Sequence, residues 1–435
     1  MMMDVKSELE SALSEERLNL LRVVADVAAI LGYPIYMVGG SVRDLMLGRP
    51  INDFDLTVEG DASSFAQAMM RKIGGKVLIH SKFKTARWTP TESTFERLNV
   101  PILAPDNFPP FLDFVTARFE RYSRPGALPR IRRSSLNDDL RRRDFTINAM
   151  AIRLDGNHFG EFVDIVGGMP DLERRLIRVL HSKSFLDDPT RMFRAVRYAG
   201  RYEFQLEAGT LKLFNDEAKS VLAGLSGERL RHEFDLLFDE ASPLLMFEKL
   251  KELGLLSVVH PALPDADFER LTKTVNEPAD GFGEFAVPDI LSFKQTIGWV
   301  LYLMDLDEKP IKEIAKRLAF PVLLTKASRA ASVLHKELPT FKNWKPSQWT
   351  FYLDNVPALA IYVVWLAAGE QPLRKYLENW KSVKPFTTGN DLKKRGLTPG
   401  PKYQEILSRL RAAWLDREVR TEKEEIKLRD RLIAS

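Results

Sequence analysis

The sequence predicts an α+β protein, with a head built on a short mixed sheet near the N-terminus and an all-helical remainder. Three observations carry that prediction. Short apolar runs of strand character, bounded by Gly, Pro and Asp breaks, all fall before Val166. Beyond about Ala241, apolar positions recur at helical spacing between Pro- and Gly-bearing turns such as HPALPDAD and NEPADGFGEFAVPD. Finally, 435 residues at 45% hydrophobic suffice for two to four domains with cores of their own.

Taken in order, Ser14 to Leu31 places Leu18, Leu21, Val24, Ala25, Ala28 and Ala29 at helical spacing and stops at Gly32, a good helix-ending residue. The next stretch, MVGGSVRDLMLGRPINDFDLTVE (Met37–Glu59), organises the rest. It reads as a strand end at Tyr36–Val38, a Gly39-Gly40 turn, a short helix from Ser41 to Leu47, a break at Gly48–Pro50, and a strand carrying Asp53 and Asp55. Two residues apart on a strand, the two carboxylates share a face while Phe54 turns away. Such a pair repels itself unless a hard divalent cation such as Mg²⁺ sits between the oxygens. Gly39 and Gly40 lack a Cβ and let a triphosphate approach the backbone. Ser41 can cap the helix whose amides face that anion, and Arg43 adds a positive charge. A lone DxD is more often a plain acidic turn; its coupling to GGSVRD ten residues upstream is what singles it out.

Asp61–Ile73 reads as a second helix ended by Gly74-Gly75, and Val77–His80 as a short strand in which His80 is structural. Trp88 to Pro110 is proline-bearing, poorly patterned and expected to be an extended loop. A strand at Phe111–Ala117 sets Asp113 in apolar company, as either a third site carboxylate or an edge-strand aspartate. In RSSLNDDLRRRDFTINAMAIRL, Leu136, Leu140 and Phe145 form a loose apolar stripe, and the triple Arg141–Arg143 by itself reads as a solvated charge run. Ala149–Leu154 and Phe162–Val166 complete the head strands, and DIVGGMPDLERRLIRVL (Asp164–Leu180) gives a Gly-Gly turn followed by a helix with Asp171 near its start. In SFLDDPTRMFRAVRYAGRYEF, a helix with Pro189 at its first position puts Asp188, Arg191, Arg194, Arg197 and Arg201 on one side. Met192, Phe193, Val196 and Tyr198 supply its packing surface. In TGNDLKKRGLTPGPKYQEILSRLRAAW, Asn390 or Asp391 can cap a short helix, Gly396 ends it, and Ile406, Leu410 and Ala413 mark one side of the next helix.

The chain has no cysteine, which excludes disulfides, thiolate zinc sites and thiol nucleophiles. No apolar run reaches the ~18–20 residues of a membrane span. The acidic, amphipathic N-terminus is unlike a secretory signal, and a cytoplasmic location is expected. Net charge is only +4, but Arg118–Asp144 holds nine arginines against four acids, and Gln371 onward holds 16 basic and 9 acidic residues. Two basic zones suit a polyanionic partner held at two places.

GGSVRDLMLG followed by NDFDLTV resembles the first motif of class II tRNA nucleotidyltransferases and bacterial poly(A) polymerases, in the polymerase-beta-like nucleotidyltransferase superfamily. RRDFTINAM, DIVGGMPDLERRLIRVL, LDDPTRMFRAVR and SGERLRHEFDLLF (Ser226–Phe238) are similar to the second to fifth motifs, in order, and the tail string resembles a tail motif. The resemblance implies a polymerase-beta-like head over 1–158, a base-reading helical neck over 159–240, a helical body over 241–340 and a tRNA-binding helical tail over 341–435. It implies Asp53 and Asp55 as catalytic ligands of Mg²⁺ with Asp113 as candidate third carboxylate, and nucleotide binding by Gly39, Gly40, Ser41 and Arg43. It further implies Arg143 at the phosphates, Asn148 at the ribose and Asp144 orienting its neighbours. Asp188 and Arg191 would read the Watson–Crick edge shared by C and A, and Arg194 and Arg197 would face the triphosphate. Asp187 stands where the family usually has Glu, and Glu228 and Arg229 are expected to be structural.

The implied reaction is attack by a tRNA 3′-hydroxyl on the α-phosphorus of CTP or ATP, without a nucleic-acid template, giving all or part of the terminal CCA. In this family a loop in the Trp88–Pro110 part of the head influences the switch from CTP to ATP. Three alternatives stay open: a CC-only or A-only enzyme; a poly(A) polymerase, which usually has a longer basic C-terminal extension; and a silent tRNA-binding protein, against which the intact DxD argues. Nothing in the sequence sets the oligomeric state.

Overall fold

In a computed structural model, the described residues are 4–98, 108–264 and 285–434. The chain divides after Leu225 into two compact units.

The first unit holds the sheet. Its strands are β1 (Ile35–Val38), β2 (Asp55–Val58), β3 (Lys76–His80), β4 (Thr85–Thr89), β5 (Leu112–Thr116), β6 (Arg118–Arg121), β7 (Arg130–Arg133), β8 (Met150–Arg153) and β9 (Phe162–Asp164). Seven of them form one mixed sheet in the order β3-β4-β5-β2-β1-β8-β9, while β6 and β7 pair as a separate hairpin. Within that sheet β2 and β5 run parallel, as do the two-residue strands Leu176–Ile177 and Gln205–Leu206 outside it; the register of β2 on β5 sets Asp55 beside Asp113. β1 and β2 pair antiparallel with Met37 opposite Leu56. Helix Ala62–Ile73 buries Phe65, Ala66 and Met69, and the Phe65 ring meets Phe114 of β5 at 4.9 Å. Helix Glu15–Leu31 starts on the Ser14 hydroxyl and ends at Gly32 in the left-handed conformation, as expected.

Several local expectations are corrected. The expected Ser41–Leu47 helix runs from Gly40 to Met46, with Gly39 as its cap residue, so Ser41 lies inside the first turn and does not cap it. Asp53 sits in a bend before β2 rather than on the strand, although the alternation holds: Asp53 and Asp55 are exposed and Phe54 is buried. Asp113 is not on an edge, because β5 lies third in the sheet. Trp88 closes β4 as a buried residue and Glu92–Leu98 is a helix, so Trp88–Pro110 is not one extended loop; 99–107 fall outside the described residues. Pro189 caps the helix Thr190–Tyr202 from outside it.

The second unit carries no strand among its described residues. Helices Gly227–Phe238, Pro243–Glu252 and Phe293–Leu303 share a core of Phe234, Phe238, Phe247, Trp299 and Tyr302 with ring centroids 5.0–6.3 Å apart. The turn sequence NEPADGFGEFAVPD lies mostly outside the described residues. Helix Gly389–Lys394 is capped by Thr388, in a reciprocal pair with Asp391, rather than by Asn390 or Asp391. Ile406, Leu410 and Ala413 of helix Pro401–Leu415 are buried as the spacing predicts. Among the described residues no helix is long and apolar enough to cross a membrane.

Candidate active site

The site is built where β1 ends. Gly39 adopts φ 69°, ψ −127°, turning the chain directly into helix Gly40–Met46. A Cβ on Gly39 would lie 2.6 Å from Arg143 Nη1 and 3.5 Å from Asp55 Oδ2, so this glycine lets an arginine and a carboxylate close over the turn. Gly40 is less constrained: a Cβ there would meet Arg43 Nη2 at 3.5 Å, an ordinary contact. The Ser41 hydroxyl donates to the Asp53 carbonyl oxygen (2.8 Å) and accepts from the Asp55 N–H (3.1 Å). Ser41 therefore clamps the segment bearing both aspartates to the turn.

Three carboxylates converge on this corner. Partial burial raises the Asp55 carboxyl above its ordinary value, and although Arg143 opposes the shift, the charges of Asp53 and Asp113 add to it. Asp113 is held by Arg87, one register position across on β4, through two parallel bonds of 2.7 Å. Among the described residues no cluster of three or more acidic or histidine side chains is arranged to hold a metal ion. The open donors are therefore Asp53 and Asp55: exposed, oxygen-only, and carrying negative charge that is incompletely relieved. That donor set fits a hard divalent cation.

Around the carboxylates the cations are fixed by side chains distant in sequence. Arg143 Nη2 donates to Asp139 Oδ2 (3.0 Å) and Nη1 to the Asn148 carbonyl oxygen (3.3 Å). Burial disfavours the Asp139 charge, but Arg143 and Arg142 outweigh it and hold the carboxyl below its ordinary value. Arg43 is buried, bonded to Asp44 and to Asn148 Oδ1 (2.5 Å), and lies 4.5 Å from the Tyr202 ring centroid. The Asn148 amide is used at both ends, since Nδ2 donates to Asp144 Oδ1 (3.0 Å). Asp144 is buried and also pairs with Arg194 (2.6 Å).

The Thr190–Tyr202 helix supplies the remaining residues. Arg191 is buried, with Nη1 on the Ser184 hydroxyl and Nη2 on the Arg142 carbonyl oxygen, both at 2.8 Å. Half-buried Asp188 just precedes the helix and accepts from the N–H and hydroxyl of Thr190. Arg197 is buried beside Tyr198. The structure thus gathers Gly39, Asp55, Asp113 and Arg143 at one corner, and links Arg43, Asn148, Asp144 and Arg194 in one chain of contacts. Arg191 joins this assembly through the Arg142 backbone. Sequence reasoning missed Arg87, Ser184, Asp139 and the central place of Tyr198. Asp139 alone had a readable signal, standing three and four residues before Arg142 and Arg143 on a helix.

Comparison with known proteins agrees with this architecture. The profile of the Poly A polymerase head domain matches residues 35–178, and that of the "probable RNA and SrmB- binding site of polymerase A" matches 203–266. An A-adding tRNA nucleotidyltransferase of Halalkalibacterium halodurans is 35% identical over 92% of this chain and 88% of its own length. The chain belongs to the tRNA nucleotidyltransferase family. A second member, the CCA-adding enzyme of a Geobacillus strain, is 28% identical over 91% of this chain and 92% of its own. Among solved structures, the Thermotoga maritima CCA-adding enzyme complexed with tRNA aligns with a TM-score of 0.73 at 27% identity, covering 100% of this chain and 99% of that one.

Proposed function

We propose that this chain completes the 3′ end of tRNA from a nucleoside triphosphate without a nucleic-acid template, and that its share of the task is the terminal A. The observation that carries the reading is the corner where Asp53 and Asp55 stand open beside the Gly39 turn, with Arg143 closed over it. Identity supports the narrower choice: 35% to an A-adding relative against 28% to a CCA-adding one.

In this reading Asp53 and Asp55 hold Mg²⁺, and Asp113 stays with Arg87 as a flanking charge. When bound, the ions supply activation of the attacking hydroxyl and neutralisation of the leaving pyrophosphate. The chain's own residues do the rest. The Gly39–Gly40 turn admits the triphosphate to the backbone, and Arg143, Arg194 and Arg197 meet its oxygens. Asn148, with both amide ends engaged, serves by bracing Arg43 and Asp144 near the ribose. The Asp188 carboxylate accepts from the exocyclic amine of the incoming base, and Arg191, which has donors beyond the two it uses, gives to a ring acceptor. G and U present the opposite pattern and leave buried groups unpaired, which is costly. The RNA primer lies along basic surface, through phosphates and sugar hydroxyls.

The test is incorporation into three tRNA transcripts ending at the discriminator base, at C and at CC, with CTP, ATP or both, in the presence of Mg²⁺. One A added only to the CC end is expected. Completion from all three ends would make it a full CCA enzyme, CC alone a CC-adder, and long A tails on any RNA a poly(A) polymerase. No incorporation would overturn the catalytic reading.

A further inference from the structure

Helix Thr190–Tyr202 carries two tyrosines one turn apart, Tyr198 and Tyr202, with ring centroids 6.1 Å from each other. Around the Tyr198 ring stand four guanidinium carbons: Arg197 at 5.2 Å, Arg43 at 5.4 Å, Arg201 at 5.8 Å and Arg194 at 6.0 Å from its centroid. Arg43 is shared with Tyr202, which also has Arg49 at 4.7 Å. Phe145 meets Tyr198 edge-on, at 5.8 Å and 87°, and fixes the plane of the ring. The Tyr198 side chain is half-buried.

Four cations around one ring repel one another. Carboxylates are one remedy, as with Asp144 on Arg194 and Asp44 on Arg43. Each such pair also cancels charge that a polyphosphate would need. An aromatic face attracts a cation through its quadrupole and adds no formal negative charge. It therefore adds a hold on these guanidinium groups without cancelling more of the charge that an anion needs.

We infer that Tyr198 is a positioning residue for the incoming nucleotide, its ring gathering Arg43, Arg194 and Arg197 into place before a triphosphate arrives. This rests on the proposed reading in which Arg194 and Arg197 meet the triphosphate. The ring acts through the arginines and needs no contact of its own with substrate. Its hydroxyl is dispensable to that role, whereas the electron density of its face is not.

The experiment replaces Tyr198 in the full chain by Phe, by Leu (Tyr198→Leu) and by pentafluorophenylalanine, which keeps the shape of the ring but reverses its quadrupole. ATP affinity is read by calorimetry with Mg²⁺, and KM and kcat by incorporation of A on a tRNA ending in CC. Tyr198→Phe should stay within about twofold of wild type. The fluorinated ring and Tyr198→Leu should each weaken ATP binding and raise KM roughly fivefold to thirtyfold. A fluorinated ring that binds ATP as Phe does would reduce Tyr198 to packing and overturn the inference; because it keeps a planar six-membered ring at the site, this arm decides even if Tyr198→Leu fails to fold. Wild-type protein that binds ATP but incorporates nothing would sink the proposed function alone, leaving the binding series to judge Tyr198. Wild-type protein that does not bind ATP would sink both.

Discussion

Gly39 has the least replaceable backbone in the site. Its φ of 69° is one that side-chain-bearing residues rarely adopt, and an added Cβ would press Arg143 Nη1 at 2.6 Å. That guanidinium cannot swing away freely, because Asp139 and the Asn148 carbonyl hold it. Gly39→Ala is expected to raise KM for the triphosphate at least about tenfold, equivalent to about 1.4 kcal/mol. Gly40→Ala should be far milder, since its Cβ finds only an ordinary 3.5 Å contact; equal KM values for the two variants would refute the account. Asp55 offers a second test. Its carboxyl is raised from the usual 3.8 by burial and by the neighbouring acids Asp53 and Asp113, so its charge destabilises the metal-free fold at neutral pH. Lowering the pH through the raised value protonates Asp55 and relieves that strain, while a divalent cation held there, as proposed, would have to displace a proton to bind. Asp55→Asn should therefore raise the melting temperature of the metal-free chain at pH 7 and abolish incorporation. A melting temperature that drops in this variant would show that Arg143 already neutralises the site.

At the scale of elements, one hydroxyl couples the turn to the segment that carries Asp53 and Asp55. Ser41→Ala removes the bonds to the Asp53 carbonyl and from the Asp55 N–H, a loss of about 0.5–1.5 kcal/mol for each part-buried bond. Because the loosened segment carries both aspartates, kcat should fall by more than the stability loss alone explains, measured beside the thermal midpoint. In the second unit, Asp235 joins helix Gly227–Phe238 to Phe293–Leu303 by accepting from Trp299 Nε1 at 2.6 Å. Burial pushes its carboxyl up to about 6, against the opposing bond from Trp299 and the charge of Arg231. A raised acid binds its proton more tightly when folded, so stability is gained as pH falls through about 6 and is complete below 3.8. Asp235→Asn should flatten that pH dependence in urea unfolding between about pH 4 and 7, and a profile as steep as wild type would place the titrating group elsewhere. Elements like these differ in how readable they were. The Gly-Gly turn and the aspartates were legible because all the needed residues are neighbours in sequence. The helix Glu92–Leu98 was hidden between Pro90 and Pro101, and the β6–β7 hairpin by arginine-rich strands, RFER and RIRR, that lack alternating apolar residues. The Arg87–Asp113 pair depends on the register of β4 against β5, which no local pattern specifies.

Over the whole molecule the net charge is small, yet the cations are concentrated in two zones, one in each unit. In the first, Arg121, Arg124, Arg130 and Arg132 lie exposed on or beside the β6–β7 hairpin; in the second, Lys393 and Lys394 are exposed at the end of helix Gly389–Lys394. A polyanion held at both places releases counterions at both, so the logarithm of its affinity should fall linearly with the logarithm of salt concentration. The slope reflects the number of phosphates neutralised, which makes the zones separable by measurement. Reversing Lys393 and Lys394 to Glu, or Arg130 and Arg132 to Glu, should each make the slope for tRNA shallower by about one for every phosphate no longer neutralised. Reversals that add would show the two zones acting independently, and reversals that do not would show them coupled through the bound polyanion. Nucleotide incorporation at saturating tRNA should change little in the Lys393/Lys394 variant, since the proposed reading gives those lysines no part in the chemistry. A slope that responds to only one pair of reversals would confine tRNA to one unit and make the other basic zone a solvated surface.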